Sequence, residues 1–340
     1  MFISVGITFE ANVEALNMVE TAGNYSKHRR VPYYIKDDAG NYKTIYVPAI
    51  SGESLAHAYQ VHLVNEANRL YGKNAPVCPD CAVGGFFKSM DRPHLETKMK
   101  ILNINKKDLM AKEVEEIIIK SCLVEDIGGF MYAEKPPVRR SSGFQVSYAL
   151  PVKDSAAFAT TEPQLHARHA QMTGEEDKKK SKTSEQMIYY VETGSAIYGM
   201  VFNLDLDSIG ISSQGYGKLL DDNEIKMRKK VALNALLRFV SSQQFGAKLS
   251  RFFPVGGIVS LTASLTEGPF SVTSPIYPDH GITTLKRLGT LKNILDENVK
   301  FVFTENVDIE TENYDFAVSV ATPEEAISEI IKELENNNVL

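Results

Sequence analysis

Residues 2–13 have the sequence FISVGITFEANV, in which apolar side chains recur at every second position. A period of two is typical of a β-strand, because successive side chains on a strand point to opposite faces. One face of the predicted strand therefore carries Ile3, Val5, Ile7, Phe9, Ala11 and Val13. We expect this strand to lie in a sheet that buries that face in the core.

A second stretch repeats the alternation and predicts another long strand of the same kind. Its apolar face carries Tyr198, Met200, Phe202, Leu204 and Leu206. Further strands are predicted at residues 31–36 and 44–47, which form a hairpin, and at 144–150, 255–263, 299–304 and 316–321.

Helices are predicted between these strands. Ser51 is a candidate N-cap for a helix that ends at Gly72, and Thr322-Pro323-Glu324-Glu325 is a capping box that begins the last helix. Further helices are predicted at residues 109–126 and 223–242, whereas residues 73–107 show little periodicity and are predicted to be irregular. Interleaved strands and helices with long insertions favour an α+β fold around a split βαββαβ core, the arrangement of the RNA-recognition fold.

The charges are segregated along the chain, although the net charge is −6. Positive residues form short clusters at residues 27–30, 135–140, 178–182, 226–230 and 248–251. This pattern permits a basic groove on an otherwise acidic body, as nucleic-acid binding requires. For any single cluster, an ordinary solvated surface is the alternative.

The sequence also bears on the compartment of the protein. No stretch approaches the 18 or more consecutive apolar residues of a membrane span, and the first residues lack the pattern of a secretory signal. The three cysteines fit a reducing compartment. We therefore expect a cytoplasmic protein without a membrane partner.

The common catalytic and nucleotide-binding motifs are absent from the sequence, which favours a non-catalytic protein without a cofactor. His28 and His166 each lie among basic residues beside a predicted strand end. Such a histidine can act as a general acid or base in RNA cleavage, or it can contact a base or a phosphate. Neither has an acid–base partner at a suitable spacing, so binding is favoured.

Cys78-Pro79-Asp80-Cys81 has the spacing of half a zinc site, and His94 follows within reach. A fourth ligand is missing, because the next cysteine, Cys122, lies on the apolar stripe of a predicted helix. We therefore expect two free thiols in a surface loop, with a metal site of Cys78, Cys81 and His94 as the alternative.

Several segments resemble the DevR-type Cascade backbone subunits, which are CRISPR-associated proteins of the type I-A class and the RAMP superfamily. The resemblance rests on LNMVETAGNYSKHR at residues 16–29, VPAISGESLAHAY at 47–59, GGFMYA at 128–133, PVRR at 137–140, LHAR at 165–168 and SRFFP at 250–254. These segments occur in order along most of the chain. The cysteine-containing insertion at 73–100 lies outside them.

The resemblance implies a modified RNA-recognition palm, a helical finger insertion and a thumb hairpin. The palm would comprise residues 1–50, 139–159 and 191–340, the fingers 51–138, and the thumb 160–190 with a mobile basic tip. It further implies a non-catalytic subunit that polymerises as a helical filament along guide crRNA. Other Cascade subunits would be its partners, together with target single-stranded DNA that pairs with the guide.

A guide of arbitrary sequence must be gripped by its backbone, so that the base edges stay free to pair. We expect polar and basic loop residues to do this, helped by backbone N–H groups at the start of the helix that follows Ser51. The candidate RNA-binding residues are Asn17, Asn24, Lys27, His28, Arg29, Ser51, Gly52, Arg139, Arg140, His166, Arg168, Gln244, Lys248 and Arg251.

Two alternatives remain open at this point. One is an RNA-processing endonuclease of the same superfamily, with His28 or His166 as acid or base. The other is a transcriptional autoregulator, which the DevR label suggests but which lacks a helix-turn-helix pattern here.

Overall fold

The computed structural model describes residues 1–37, 39–168, 187–307, 309–311 and 314–340. Its strands are β1 (Phe2–Glu14), β2 (Met18–Ala22), β3 (Tyr25–His28), β4 (Arg30–Lys36), β5 (Tyr42–Pro48), β6 (Phe130–Tyr132), β7 (Val138–Arg140), β8 (Phe144–Val146), β9 (Leu150–Pro151), β10 (Thr160–Arg168), β11 (Met187–Asp205), β12 (Val255–Thr266), β13 (Lys300–Thr304) and β14 (Ala317–Val320). Its α-helices are α1 (Gly52–Tyr71), α2 (Pro79–Ala82), α3 (Arg92–Ile101), α4 (Ala111–Ser121), α5 (Leu123–Gly128), α6 (Asp222–Ser242), α7 (Leu249–Phe252), α8 (His280–Leu295) and α9 (Pro323–Asn336).

The first strand lies inside a large sheet, where it pairs antiparallel with β11 on one side and with β12 on the other. The path through the sheet is β14-β13-β12-β1-β11-β3-β2, and β8, β9 and β10 also pair with β11. The hairpins β4-β5 and β6-β7 stand apart from this sheet. Long antiparallel strands with separate packed helices confirm the predicted α+β class.

The main hydrophobic core lies between this sheet and α1, α6 and α9. Ile3 and Ile7 of β1 are fully buried there with Phe239 of α6. The hydroxyl of Tyr59 in α1 donates a 3.0 Å hydrogen bond to the carbonyl of Ala232 in α6. Each large apolar side chain buried in this way contributes about 1.5–3 kcal/mol, so the alternation in β1 largely fixes where the helices pack.

The predicted alternation of β1 fails at its last position. Val13 is 52% exposed and has a φ of 55°, and the pairing with β11 shifts between Ala11 and Glu14. A bulge of this kind adds one residue to a strand and exchanges its two faces. Glu14 therefore turns into the core in place of Val13.

Two other expectations are wrong. The insertion predicted to be irregular contains α3, whose N-cap Asp91 accepts a 3.1 Å hydrogen bond from the backbone N–H of His94. The helix predicted at residues 109–126 breaks at Cys122, which adopts an extended conformation with φ −147° and ψ 109°. In both places, contacts with distant segments outweigh the local sequence pattern.

Other elements form as predicted. The hairpin of β4 and β5 is antiparallel, α6 covers residues 222–242, and Thr322 caps α9 by accepting a 3.1 Å hydrogen bond from the backbone N–H of Glu325. The predicted division into palm, fingers and thumb stays a prediction. Within it, α1 packs in the main core, whereas α3, α4, β6 and β7 share a second apolar cluster. Among the described residues, no helix combines the length and apolar character needed to cross a bilayer.

Candidate nucleic-acid interface

A surface pocket of about 650 Å³ opens at the N-terminus of α1, and we call it the α1 groove. It brings together four predicted site residues that lie far apart in sequence, Asn17, Arg29, Ser51 and Gln244. The remaining walls are formed by Met18, Val19, Glu53, Ser54, His57, Ala58, Val61, His62, Gly246, Ala247 and Leu249.

Asn17 organises this groove from below its surface, because its side chain is only 9% exposed. Its Oδ1 accepts hydrogen bonds from Nε of Arg29 at 2.8 Å and from the backbone N–H of Ser51 at 2.9 Å. The Ser51 hydroxyl accepts from the backbone N–H of Ser54 at 3.3 Å. These two oxygens position Arg29 and the first turn of α1, whereas a contact of Asn17 or Ser51 with phosphate stays a prediction.

Gly52 is needed for close packing at the start of α1. A Cβ added here would lie 2.6 Å from the carbonyl oxygen of Val146 in β8. Only a residue without a side chain lets this end of the helix approach β8 so closely. The first turn of α1 is thereby held at the edge of the groove, where its N-terminus favours negative charge. Glu53 lines the same edge and gives the groove a mixed charge.

Arg29 is half-buried, and its guanidinium lies 6.0 Å from the ring centroid of Tyr148. Tyr148 is 42% exposed, so one side of its ring remains open to solvent. A cation beside an exposed aromatic ring can contact a phosphate while the ring stacks on a base or sugar. Tyr148 is absent from the sequence-predicted set, because a single tyrosine between Ser147 and Ala149 gives no distinct signal.

The short helix α7 extends the groove toward the paired residues His166 and Tyr189 of β10 and β11. Leu249 lines the groove, and Arg251 in the same short helix donates from Nη1 to the hydroxyl of Tyr189 in β11 at 2.7 Å. The ring of His166 in β10 stacks on Tyr189, with centroids 5.2 Å apart. Lys248 precedes α7, and its side chain is largely exposed. Its pKa is lowered because the ammonium group is partly desolvated and lies near the positive charge of Arg251. The α1 groove and the His166–Tyr189 pair therefore form one surface.

Two predicted residues on the β2–β3 hairpin are occupied by protein contacts. Nδ2 of Asn24 donates to the carbonyl of Ile188 at 3.0 Å, which ties β2–β3 to β11. Nζ of Lys27 lies 3.2 Å from Glu20 in an exposed ion pair, which contributes little to stability and is easily exchanged for a phosphate. The side chain of Arg168 lies outside the described residues, as does the predicted basic tip at 178–182.

His28 is not an RNA contact. It is 3% exposed, and its Nε2 lies 2.7 Å from Oε1 of Glu14 inside the protein. Nδ1 of the same ring lies 2.8 Å from the carbonyl oxygen of Arg29. The burial of this ring also removes His28 from the endonuclease alternative.

Arg140 is likewise misassigned by the sequence. It is 6% exposed and donates from Nη2 to Asp126 at 2.8 Å and from Nε to the carbonyl of the same residue at 2.8 Å. Arg228 of α6 reaches the other oxygen of Asp126 at 3.0 Å. The neighbouring Arg139 is exposed and stays a candidate, although it lies on β7 beside α4 rather than in the α1 groove.

The cysteines are not in a surface loop. Cys78, Cys81 and Cys122 are each at most 1% exposed, and His94 pairs with Asp91 instead of joining them. The carboxylate of Glu125 takes the place predicted for His94. Neither Cys122 nor Glu125 could be assigned from sequence, because both lie on what reads as an apolar helix.

The sequence profile described as "CRISPR-associated negative auto-regulator DevR/Csa2" matches residues 5–283. The chain belongs to the DevR/Csa2 family. It is 36% identical to "CRISPR-associated protein Cas7/Csa2 1" of Saccharolobus solfataricus over 312 residues, which cover 90% of this chain and 93% of that protein. It is 28% identical to "CRISPR-associated protein Cas7/Cst2/DevR" of Methanocaldococcus jannaschii, over 98% of this chain and all of that protein.

The DevR/Csa2 assignment confirms the family predicted from the sequence motifs, whereas the type I-A class stays a prediction. The fold agrees with the family assignment. A chain from a "CRISPR RNA-guided surveillance complex, pre-nicking" superposes with a TM-score of 0.51 at 12% identity, over 98% of this chain and all of that one. At this identity the likeness concerns the fold alone.

Proposed function

We propose that this DevR/Csa2 chain is a backbone subunit of a CRISPR RNA-guided surveillance complex and grips guide RNA by its sugar–phosphate backbone. Relatives of the family support the proposal: a Saccharolobus solfataricus protein described as "CRISPR-associated aCascade subunit Cas7/Csa2 2" is 35% identical over 89% of this chain and 92% of its own length. Solved chains of the same fold come from RNA-guided surveillance complexes.

The observation that carries the proposal is the continuous surface from the α1 groove to the His166–Tyr189 pair. It places Arg29 beside the exposed ring of Tyr148 and Arg251 beside the half-exposed ring of Tyr189, and it adds the exposed cation Lys248. Cations hold phosphates whatever the base, and rings stack on any base, so such a surface binds a strand without reading its sequence. A guide held in this way keeps its base edges free for target single-stranded DNA.

The topology supports a palm of the RNA-recognition type. The strand order β12-β1-β11-β8 is antiparallel throughout, and α1 and α6 pack together on one face. This is the order expected of a split βαββαβ core with β1, β8, β11 and β12 as its four strands. The fingers would then comprise the insertion that holds α3 and α4, and the thumb the β10–β11 hairpin.

We further propose that the subunit is non-catalytic and polymerises along crRNA with other Cascade subunits. A guide longer than one subunit needs the same grip repeated, so each copy contacts the next head to tail and forms an open helical filament. Burial of His28 leaves His166 as the remaining histidine of the endonuclease alternative, and its stacking on Tyr189 suits binding better than proton transfer.

The test is single-stranded RNA binding by the variant Lys248→Ala with Arg251→Ala, measured by fluorescence anisotropy at several salt concentrations. Loss of two phosphate contacts should reduce the slope of log affinity against log salt by about 1.4 in magnitude, because each contact on a single strand contributes about 0.7. The matched control is Lys286→Ala with Lys332→Ala, which removes the same charge from exposed positions on α8 and α9. Equal slopes in the two variants would refute the proposed interface.

A second candidate is negative autoregulation, which the name of the family suggests. It requires specific binding to duplex DNA, for which an acidic protein of net charge −6 is poorly suited. Competition between single-stranded RNA and promoter duplex distinguishes the two functions. Displacement of the bound RNA by an equal concentration of promoter duplex would favour the autoregulator.

A further inference from the structure

Two segments far apart in sequence meet in the main hydrophobic core and bring all three cysteines together. The short helix α2 carries Cys81, and Cys78 precedes it directly. Cys122 lies at the break between α4 and α5, and the backbone N–H of Leu123 donates to the carbonyl of Pro76 at 2.8 Å. The extended conformation of Cys122 interrupts a strongly apolar helix. Contacts with other segments, rather than local helix propensity, therefore hold this residue in place.

The four polar atoms at this junction have the spacing of a metal site. The Sγ atoms of Cys78, Cys81 and Cys122 and a carboxylate oxygen of Glu125 lie within 4.8 Å of one another. Sγ of Cys78 lies 3.6 Å from Oε1 of Glu125. In a tetrahedral zinc site with Zn–S of about 2.3 Å and Zn–O of about 2.1 Å, neighbouring sulfur and oxygen ligands are about 3.6 Å apart.

The surrounding side chains form the support that a coordinated carboxylate needs. Nζ of Lys98 in α3 lies 2.9 Å from Oε1 of Glu125, and both side chains are 1% exposed. Oγ of Ser89 donates to Oε2 of the same carboxylate at 2.6 Å. Ser89 is fully buried and has a φ of 52°, a conformation that costs energy and persists only where contacts enforce it.

With the three cysteines as thiolates, the charges of the junction balance when one divalent cation is bound. Three thiolates and one carboxylate carry four negative charges. The nearby ammonium groups of Lys88 and Lys98 supply two positive charges, and a divalent cation supplies the other two. An apolar packing role for the cysteines would not require a buried acid and a buried lysine beside them.

We propose that Cys78, Cys81, Cys122 and Glu125 bind one structural Zn²⁺ ion. Thiolates select zinc over the hard cations that prefer oxygen ligands, and four buried protein ligands leave no open position for a substrate. The ion joins the start of the insertion at 73–107 to α4 and α5, so it holds the finger region against the main core. His94 has no part in the site, because its ring pairs with Asp91.

The test uses the full-length chain, purified under reducing conditions with Zn²⁺ in the medium. We expect one zinc per chain by elemental analysis, and release of that zinc by a thiol-specific mercurial. Replacement by Co²⁺ should give the sulfur-to-cobalt charge-transfer bands of a tetrahedral site with three thiolates. Chain without stoichiometric zinc, or with a disulfide between Cys78 and Cys81 in the reduced preparation, would overturn the proposal.

Stability measurements separate metal binding from packing. A chelator should lower the melting temperature of the parent protein by roughly 5–10 °C, since zinc binding contributes to folding. Cys78→Ser, which keeps the side-chain size, should lose both the zinc and the response to chelator. The control Val114→Ala, a fully buried position in the neighbouring apolar cluster, should melt lower but keep one zinc and the full response.

The role of Glu125 is tested in a background that avoids leaving Lys98 buried without a partner. Zinc affinity is compared between Lys98→Met and the double variant Lys98→Met with Glu125→Gln. We expect the double variant to bind zinc at least about 10-fold more weakly, which is the effect of losing a ligand or its support. Equal affinity would remove Glu125 from the ligand set.

Discussion

Nε2 of His28 lies 2.7 Å from Oε1 of Glu14, and both side chains are shielded from solvent. The hydroxyl of Tyr198 donates to the same oxygen at 2.7 Å, and the backbone N–H of Leu16 donates to Oε2 at 2.6 Å. The network therefore joins β1, β3 and β11 behind the α1 groove. It exists because the bulge at Val13 turns Glu14 into the core, where a carboxylate must find donors.

This network should make stability depend on pH through His28. Burial lowers the pKa of His28, but the hydrogen bond and charge of Glu14 outweigh it and leave the pKa above its ordinary value. A raised pKa contributes stability that is fully present below the unfolded pKa of about 6.5 and is lost as pH rises through the folded pKa. We therefore expect the parent to exceed His28→Gln in free energy of unfolding by more at about pH 6 than at about pH 8.5.

Urea unfolding of both proteins at the two pH values gives the measurement. His62 and His280, whose pKa values burial lowers, are present in both proteins and cancel from the difference. RNA affinity of folded His28→Gln should equal that of the parent. A pH-independent difference in stability would mean that His28 is neutral in the folded protein.

Asn17 should matter for both stability and RNA affinity. Asn17→Ala leaves the backbone N–H of Ser51 without its acceptor, which costs about 1–3 kcal/mol, and releases Arg29 from its position. Asn17→Asp keeps both hydrogen bonds but neutralises the Arg29 charge in the groove. We expect Asn17→Ala to lower both stability and RNA affinity, and Asn17→Asp to lower affinity alone. Chemical denaturation and anisotropy measure the two quantities, and loss of stability in Asn17→Asp would contradict the assigned role.

Gly52→Ala should destabilise the protein by about 1–3 kcal/mol, because its Cβ would clash with the carbonyl oxygen of Val146 and neither backbone can yield easily. The control is Gly257→Ala in β12, where the nearest atom to an added Cβ is 4.0 Å away. Thermal unfolding of the two variants distinguishes them. If both melt like the parent, the close approach of α1 to β8 is not needed.

Arg140 should be a stability residue rather than an RNA contact. Arg140→Met leaves Asp126 with one guanidinium partner, Arg228, and breaking a buried ion pair costs about 3–5 kcal/mol. Arg139→Met, at the exposed neighbouring position, should change stability by less than about 0.5 kcal/mol. Urea unfolding of this matched pair is the test, and similar losses in both would contradict the buried network.

The proposed filament predicts how assembly depends on the length of the RNA. We expect the chain to associate weakly alone and to form complexes whose mass grows stepwise as the guide lengthens, because head-to-tail contacts remain open at both ends. Native mass spectrometry on RNAs of increasing length measures this. A dimer of fixed mass at every length would contradict the filament.

Two long strands of the central sheet, the start of the last helix and the family were predicted from the sequence alone. The period-two pattern of residues 3–11 and 198–206 predicts two strands that do pair, and the capping box at Thr322 predicts the start of α9. Asn17, Arg29, Ser51 and Gln244 were also predicted as site residues, and they do share one groove. These features follow from local periodicity or from short motifs, which depend little on distant residues.

Only the tertiary structure decided what each polar residue does. His28 and Arg140 sit in basic segments yet are buried, because Glu14 and Asp126 reach them from other elements. Cys122 lies on an apolar stripe yet faces Cys78, more than 40 residues before it. A charged or metal-binding side chain can be buried only where the fold supplies its partners, and those partners come from segments that no local pattern connects.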